Sequence, residues 1–419
     1  MTDETEALRV QVARQVAHWR AAVVGLQDVE NFASAAAWRS LERYLDVAVR
    51  KQLQDAADRL ARDADVLAAE LDAATTEAEL DRVRRRVIAF RRRYVQCETQ
   101  LDFFGDAIGT RTSPRLAGLL RACDALALQS LEAVLLPLRR EVPPILTYVD
   151  KGLGASILRA GLRFVDGGPL SLAAVVKITR QNLYRPTALI HETGHQAAHL
   201  LGWNEELARA IERELVRDPE LAATWSSWSS EIAADTYAFA LTGYGSVAAL
   251  HDVVSGGPSV FREIPGDPHP VPYLRVLLVV QMAVRFFGVG PWDDLARAWQ
   301  RAYPVAEAAP RTRRLVERSL PYLPRLAELC LLTPMRAFGD RPLAALVDPR
   351  RVRPDELLRL ARESGPALSY SPHWLRTEGL RLLALSSYRA ATEPERAAEI
   401  AQHYEDWMLR LGTPLEIAA

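Results

Sequence analysis

The stretch Pro186-Thr-Ala-Leu-Ile-His191-Glu192-Thr-Gly-His195-Gln-Ala-Ala-His199-Leu-Leu-Gly202 decides how the rest of the chain is read. A proline opens it, as suits the first turn of a helix, where no backbone N–H is needed, and the glycine at 202 suits the exit. His191 and His195 are four residues apart, about one helical turn, so both imidazoles project from one face. Two neutral imidazoles at that separation can close on one Zn²⁺ at roughly 2.0–2.1 Å each. Glu192 stands beside the first of them, placed to reach a metal-bound water rather than the metal. In the H-E-x-x-H arrangement that glutamate serves as general base.

Five letters are a modest signal in 419 residues, and the competing explanation is an amphipathic helix with surface histidines. The surroundings favour the metal. Ala188, Leu189, Ile190, Ala197, Ala198, Leu200 and Leu201 make the helix apolar around its polar stripe. Buried histidines and a buried glutamate need compensating partners, which a metal supplies.

A zinc site needs a third protein ligand. His199 is geometrically poor, because ligands at 191, 195 and 199 would span about 12 Å along the helix axis. The metzincin pattern would put histidine at 201 and glycine at 198, where the chain has Leu201 and Ala198. The better candidate is Glu231, in Trp225-Ser-Ser-Trp-Ser-Ser-Glu231-Ile-Ala-Ala-Asp235. Serines precede the expected first turn, and Glu231 and Asp235 fall one turn apart on the same face. The small Ala233 and Ala234 between them allow another helix to approach closely. Glu231 is then the ligand, and Asp235 the acceptor that fixes the tautomer of a ligand histidine. Glu205, Glu206 and Glu212 stand in reserve as third ligands, and either acid of the pair can also be read as an ordinary helix-surface carboxylate.

H-E-x-x-H followed by E-x-x-A-D resembles the gluzincin metallopeptidases. The resemblance implies His191, His195 and Glu231 as ligands to one Zn²⁺ per chain, Glu192 as catalytic base and Asp235 as support to a ligand. Asp267-Pro-His269-Pro270-Val-Pro-Tyr273-Leu-Arg275 looks like the His-Pro…Arg segment of the CAAX prenyl protease and HtpX heat-shock protease group. In that group the histidine and arginine lie near the active site. His269 is therefore a candidate catalytic donor to an oxyanion, with Arg275 and Tyr237 as further candidates for oxyanion or substrate contacts. Tyr237 follows Asp235 by two residues and so faces away from it. A turn histidine between prolines is the plain alternative for His269. The match covers residues 145–290, and the chain departs from those mostly membrane-embedded relatives in lacking a spanning helix.

Composition sets the limits around this site. About half the residues are apolar and a quarter charged, with a net charge of −1, which is ordinary for a soluble globular protein and gives no reason to expect nucleic acid or an anionic membrane. Cys97, Cys123 and Cys330 lack metal spacing and read as reduced core residues of a cytoplasmic protein. The acidic start, Met-Thr-Asp-Glu-Thr-Glu, is followed by no signal-peptide core. Leu274–Val289 is apolar but interrupted by Arg275, Gln281 and Arg285, and reads as a buried helix rather than a membrane span.

Three domains are expected. Residues 1–140 form long antiparallel helices. Their run Arg82-Val-Arg-Arg-Arg86 and Arg91-Arg-Arg93 is a solvated face, since the segment holds 21 basic and 21 acidic residues. Residues 141–300 form a zincin-like metallopeptidase core with a small sheet from Ile145–Val149, Ala155–Leu158 leading to Leu162–Val165, and 173–179. The last strand is expected to offer an open edge to an extended peptide. Residues 301–419 are helical again, and the two terminal helical domains are the surfaces available to a protein partner. The fold class is thus mainly α with a small β-sheet. The expected reaction is zinc-dependent hydrolysis of a peptide bond in a peptide or protein substrate, by a metal-activated water with Glu192 as base. Two rivals stay open, a non-catalytic binding or regulatory protein that retains a zinc site and a zinc hydrolase of a non-peptide amide or ester.

Overall fold

Residues 3–151, 156–158, 173–184, 186–264 and 266–413 are described by the computed structural model of the chain. They are mainly α-helical with one small β-sheet, as the sequence predicts. The chain divides into two compact units. The first takes Met1–Thr112, Pro143–Tyr148 and Leu158–Val175, and the second takes Ser113–Val142, Val149–Ile157 and Val176–Ala419. Residues 301–419 therefore share a unit with the H-E-x-x-H helix, and no boundary falls near residue 300.

The first unit is built on α1 (Asp3–Gln27), α2 (Ala35–Leu45), α3 (Val49–Ala73) and α4 (Glu77–Gly109). Apolar residues at helical spacing, such as Leu53, Ala56, Ala57 and Leu60 on α3 and Val83, Val87 and Phe90 on α4, form one core. Ala74, Thr75 and Thr76 alone join α3 to α4. There the Glu79 carboxylate accepts the N–H groups of Thr75 and Thr76 at 2.8 and 2.9 Å, closing a capping box with Thr76. These backbone hydrogen bonds hold the Glu79 pKa down at about 2.

Three short strands follow, β1 (Ile145–Val149), β2 (Ser156–Leu158) and β3 (Ala174–Ile178), in the order β1-β3-β2. The Ala174 N–H donates to Pro144 O and the Asp150 N–H to Ile178 O, so β1 and β3 run parallel. This corrects one expectation. β3 is the central strand, flanked by β1 on one side and β2 on the other, so neither of its edges is open. The expected run Leu162–Val165, with Ala155 and the turn residues around both, lies outside the described residues.

In the second unit α5 (Pro114–Leu135) precedes the sheet residues. Then come α6 (Thr187–Leu201), α7 (Trp203–Glu214), α8 (Pro219–Ser227), α9 (Ser229–Thr242), α10 (Tyr244–Val254) and α11 (Pro272–Phe287). α9 is buried along almost its whole length, Glu231 and Asp235 included, which marks it as a core helix rather than an amphipathic surface one. Nine further α-helices and five 3-10 turns follow among the described residues, up to Leu411. No helix among the described residues is long and apolar enough to cross a membrane.

Candidate metal centre

α6 starts at Thr187, with Pro186 in the capping position, and stops at Gly202, whose φ of 64° is the left-handed value that glycine adopts without strain. Midway along it, between the two histidines, sits Gly194. A Cβ there would lie 2.9 Å from Ala234 Cα and 3.1 Å from Tyr237 Cβ. Glycine on α6 and alanine on α9 thus let the two helices pack closer than any larger pair would. That close approach carries Glu231 to the histidines. His191 Nε2 lies 3.4 Å from Glu231 Oε2 and His195 Nε2 lies 3.2 Å from Glu231 Oε1. One ligand atom from each residue falls within 4.8 Å of the others. His199 is not part of the cluster.

The far side of each imidazole is also engaged. His191 Nδ1 is 2.9 Å from Asp235 Oδ1, and His195 Nδ1 is 3.2 Å from Ser230 Oγ. With Nδ1 turned to its own partner, Nε2 of each ring is the atom that faces Glu231, the orientation a metal ligand needs once that nitrogen is deprotonated. Asp235 thus faces the Nδ1 side of His191.

Arg275 on α11 differs from its expected role. Its Nε and Nη2 donate to Asp235 Oδ2 and Oδ1 at 2.6 and 2.8 Å, and Nη2 also lies 3.0 Å from Glu231 Oε2. A buried guanidinium takes the nearest carboxylates as partners, so Arg275 braces Asp235 and Glu231. Tyr237 is a second correction. It is wholly buried against the α6 interface near Ser130 and Thr193, away from the cluster, and burial pushes its phenol pKa well up.

His269 does reach the site. Its Nε2 is 3.6 Å from Glu231 Oε1, and its ring is about half exposed, at 56%. Asp267 holds it from behind. Asp267 Oδ1 accepts the backbone N–H of His269 at 3.0 Å and lies 2.5 Å from its Nδ1. The sequence reading passed over Asp267, Ser230 and Gly194. An aspartate two residues before a histidine in Asp-Pro-His is the one usable signal, because aspartate side chains accept backbone N–H groups two residues on. Glu206, held in reserve as a ligand, instead accepts the N–H groups of Arg336 and Ala337.

The electrostatics follow from burial. Burial draws the His191 pKa down, but Asp235 and Glu231 outweigh it and hold it up at about 9. Burial pushes Glu231 up, yet the two histidines and Arg275 hold it well below the usual carboxylate range. Burial likewise raises Asp235, and Arg275 more than offsets it. Glu192 has no such partner, and burial raises its pKa above the ordinary glutamate value despite His191 and His195.

The donor set suits a divalent cation. Glu192, Glu231 and Asp235 are buried beside a single arginine. With neutral imidazoles they carry an excess of two negative charges, which a dication balances. Glu231 Oε2 has no hydrogen bond of regular geometry despite being buried, so it has a lone pair to give. Two imidazole nitrogens and one carboxylate oxygen are a zinc-type ligand set with a coordination position left over.

The cluster forms one wall of a cavity of about 350 Å³ in the second unit. Glu192, His269 and Arg275 also line it. No family model, curated protein or solved structure matches this chain.

Proposed function

We propose that this cavity is the active site of a zinc-dependent peptidase of the gluzincin kind, with His191, His195 and Glu231 holding the ion. The observation that carries the reading is the convergence of both Nε2 atoms on Glu231 while Asp235 and Ser230 occupy the Nδ1 sides. Bound there, zinc acts as a Lewis acid, lowering the pKa of a water toward about 7 and polarising a carbonyl.

The chain's own residues do the rest. Glu192 accepts a proton from the water that attacks the scissile carbonyl and returns it to the departing amine nitrogen. Its raised pKa suits both halves of that task, since a carboxylate nearer neutrality gives the proton back more readily. Asp267, an acceptor only, draws the Nδ1 proton of His269. That contact orients the His269 ring so that Nε2 faces the cluster, where an Nε2–H can donate to the carbonyl oxygen as negative charge grows there. Arg275 fixes Asp235, and Asp235 fixes His191. Cys97, Cys123 and Cys330 are buried and form no disulfide, which suits a reducing compartment such as the cytoplasm.

The test is zinc content and peptide-library cleavage by wild type against Glu192→Gln. Removing a general base costs about 10²–10⁴-fold in rate, and the variant is expected to keep its zinc. Equal cleavage by the two proteins overturns the reading.

A further inference from the structure

The cavity has two kinds of wall. One is the polar cluster. The other is apolar: Ala238 from α9, Ala249, Leu250 and Val253 from α10, and Val279 from α11. We infer that this apolar part receives one bulky, uncharged side chain of the peptide substrate, next to the bond that is cut. The inference rests on the peptidase reading above and adds the substrate class to it.

Size comes first. The cavity's 350 Å³ is more than tenfold a water's share of about 30 Å³, and it falls in the range of sites that enclose an organic group. Charge narrows the occupant. The arginine of the lining is engaged by Asp235 and Glu231, and the described lining holds no lysine or second arginine, so an acidic side chain reaching past the metal site meets apolar residues and no cation. A lysine or arginine side chain reaching past the cluster meets Leu250, Val253 and Val279, which offer no acceptor. An apolar chain meets neither obstacle. Val253 also remains 55% exposed at a wall continuous with His191 and Glu192, so a substrate lying over the cluster would cover it. Ala238 and Ala249 are the small residues that make the room, and a larger residue at 249 fills it from a half-buried position on α10.

The experiment uses the zinc-loaded full chain and a peptide library varied at the residues flanking the cut. Wild type is expected to favour Phe, Leu or Met over Gly, Asp and Lys at one flanking position, by about 10–200-fold, the range for apolar pocket discrimination. Ala249→Phe should collapse that ratio. Val253→Asp, at an exposed position that tolerates a charge, should lower it too if Ala249→Phe fails to fold. In parallel, thermal denaturation with millimolar N-acetyl-phenylalanine amide should raise the Tm of wild type but not of Ala249→Phe, whereas N-acetyl-glycine amide should leave both unchanged. A flat or charge-preferring profile, or a preference that survives both substitutions in folded protein, overturns the inference and leaves the peptidase reading standing. If wild type cuts no peptide, the peptidase reading falls. A phenylalanine-amide shift without cleavage would then identify an apolar ligand site and overturn the substrate role.

Discussion

On α4, Arg84, Arg86 and Arg93 pair across a solvent-facing surface with Asp81, Glu70 and Asp63, while the interior beneath them is apolar, with Leu53, Leu60, Phe90, Leu101 and Phe104 fully buried. Between α6, α9 and α11 the arrangement is reversed. Glu192, His195, Glu231, Asp235 and Arg275 are all buried, and the ion pairs run through the interior. Exposed pairs contribute at most about 1 kcal/mol each. Buried charges cost several kcal/mol apiece to desolvate and persist only with matched partners. The charged groups of α4 thus stay at the surface over an apolar core, whereas those between α6, α9 and α11 are buried and costly to desolvate. Such a concentration of perturbed groups in a cleft marks a candidate functional site.

Five substitutions and one change of condition break or sharpen that contrast. The largest effect is expected from Glu231→Ala, which removes a ligand and should lose most of the zinc, taking activity with it; metal analysis of dialysed protein checks this, and retained zinc would move the ligand assignment elsewhere. Phe90→Ala in the apolar core should cost about 3–5 kcal/mol, read by chemical denaturation, while the folded protein still binds about one zinc per chain. A change in zinc stoichiometry would mean that the two regions are not independent.

His269→Ala should lower kcat by about 10²–10³-fold with zinc content and KM little changed. A rise in KM alone would make His269 a substrate-positioning group. Next comes pH. Because the His191 pKa is raised to about 9 without metal, the ion must displace a proton, and apparent zinc affinity should climb by up to about tenfold per pH unit until pH 9 and then level off. The same raised pKa stabilises the metal-free fold below pH 6.5, the unfolded histidine value, and that contribution is lost as pH rises through 9. Asp235→Asn should flatten the zinc profile and weaken binding about 10–100-fold; calorimetric titration at several pH values measures both. The smallest effect belongs to Arg86→Ala, whose exposed pair with Glu70 should cost under about 1 kcal/mol. A loss of several kcal/mol would show the surface pairs of α4 to be more than solvated charge.

Much of the site is legible in the chain because its spacing is local. His191, Glu192 and His195 share one helical turn, and so do Glu231 and Asp235, so their faces follow from helix geometry alone. His269 is legible only through resemblance, since a loop of prolines and glycines has no period to fix where it points. Arg275 and Tyr237 show the limit. Both are polar residues near the motifs, but one turns to the carboxylates and the other into the α6 interface, as burial and nearest partners dictate.

By itself, the sequence determines a mainly helical chain, a histidine pair on one helix face and a glutamate–aspartate pair on another, because each depends on periodicity within a single element. Only the tertiary structure decides that Gly194 meets Ala234, that Glu231 lands between the two Nε2 atoms, that β3 is central rather than open, and that Arg275 braces two acids at the cavity wall. These depend on contacts between residues 28 to 44 positions apart in the sequence, set by how closely two helices can pack and by which partner a buried charge finds first.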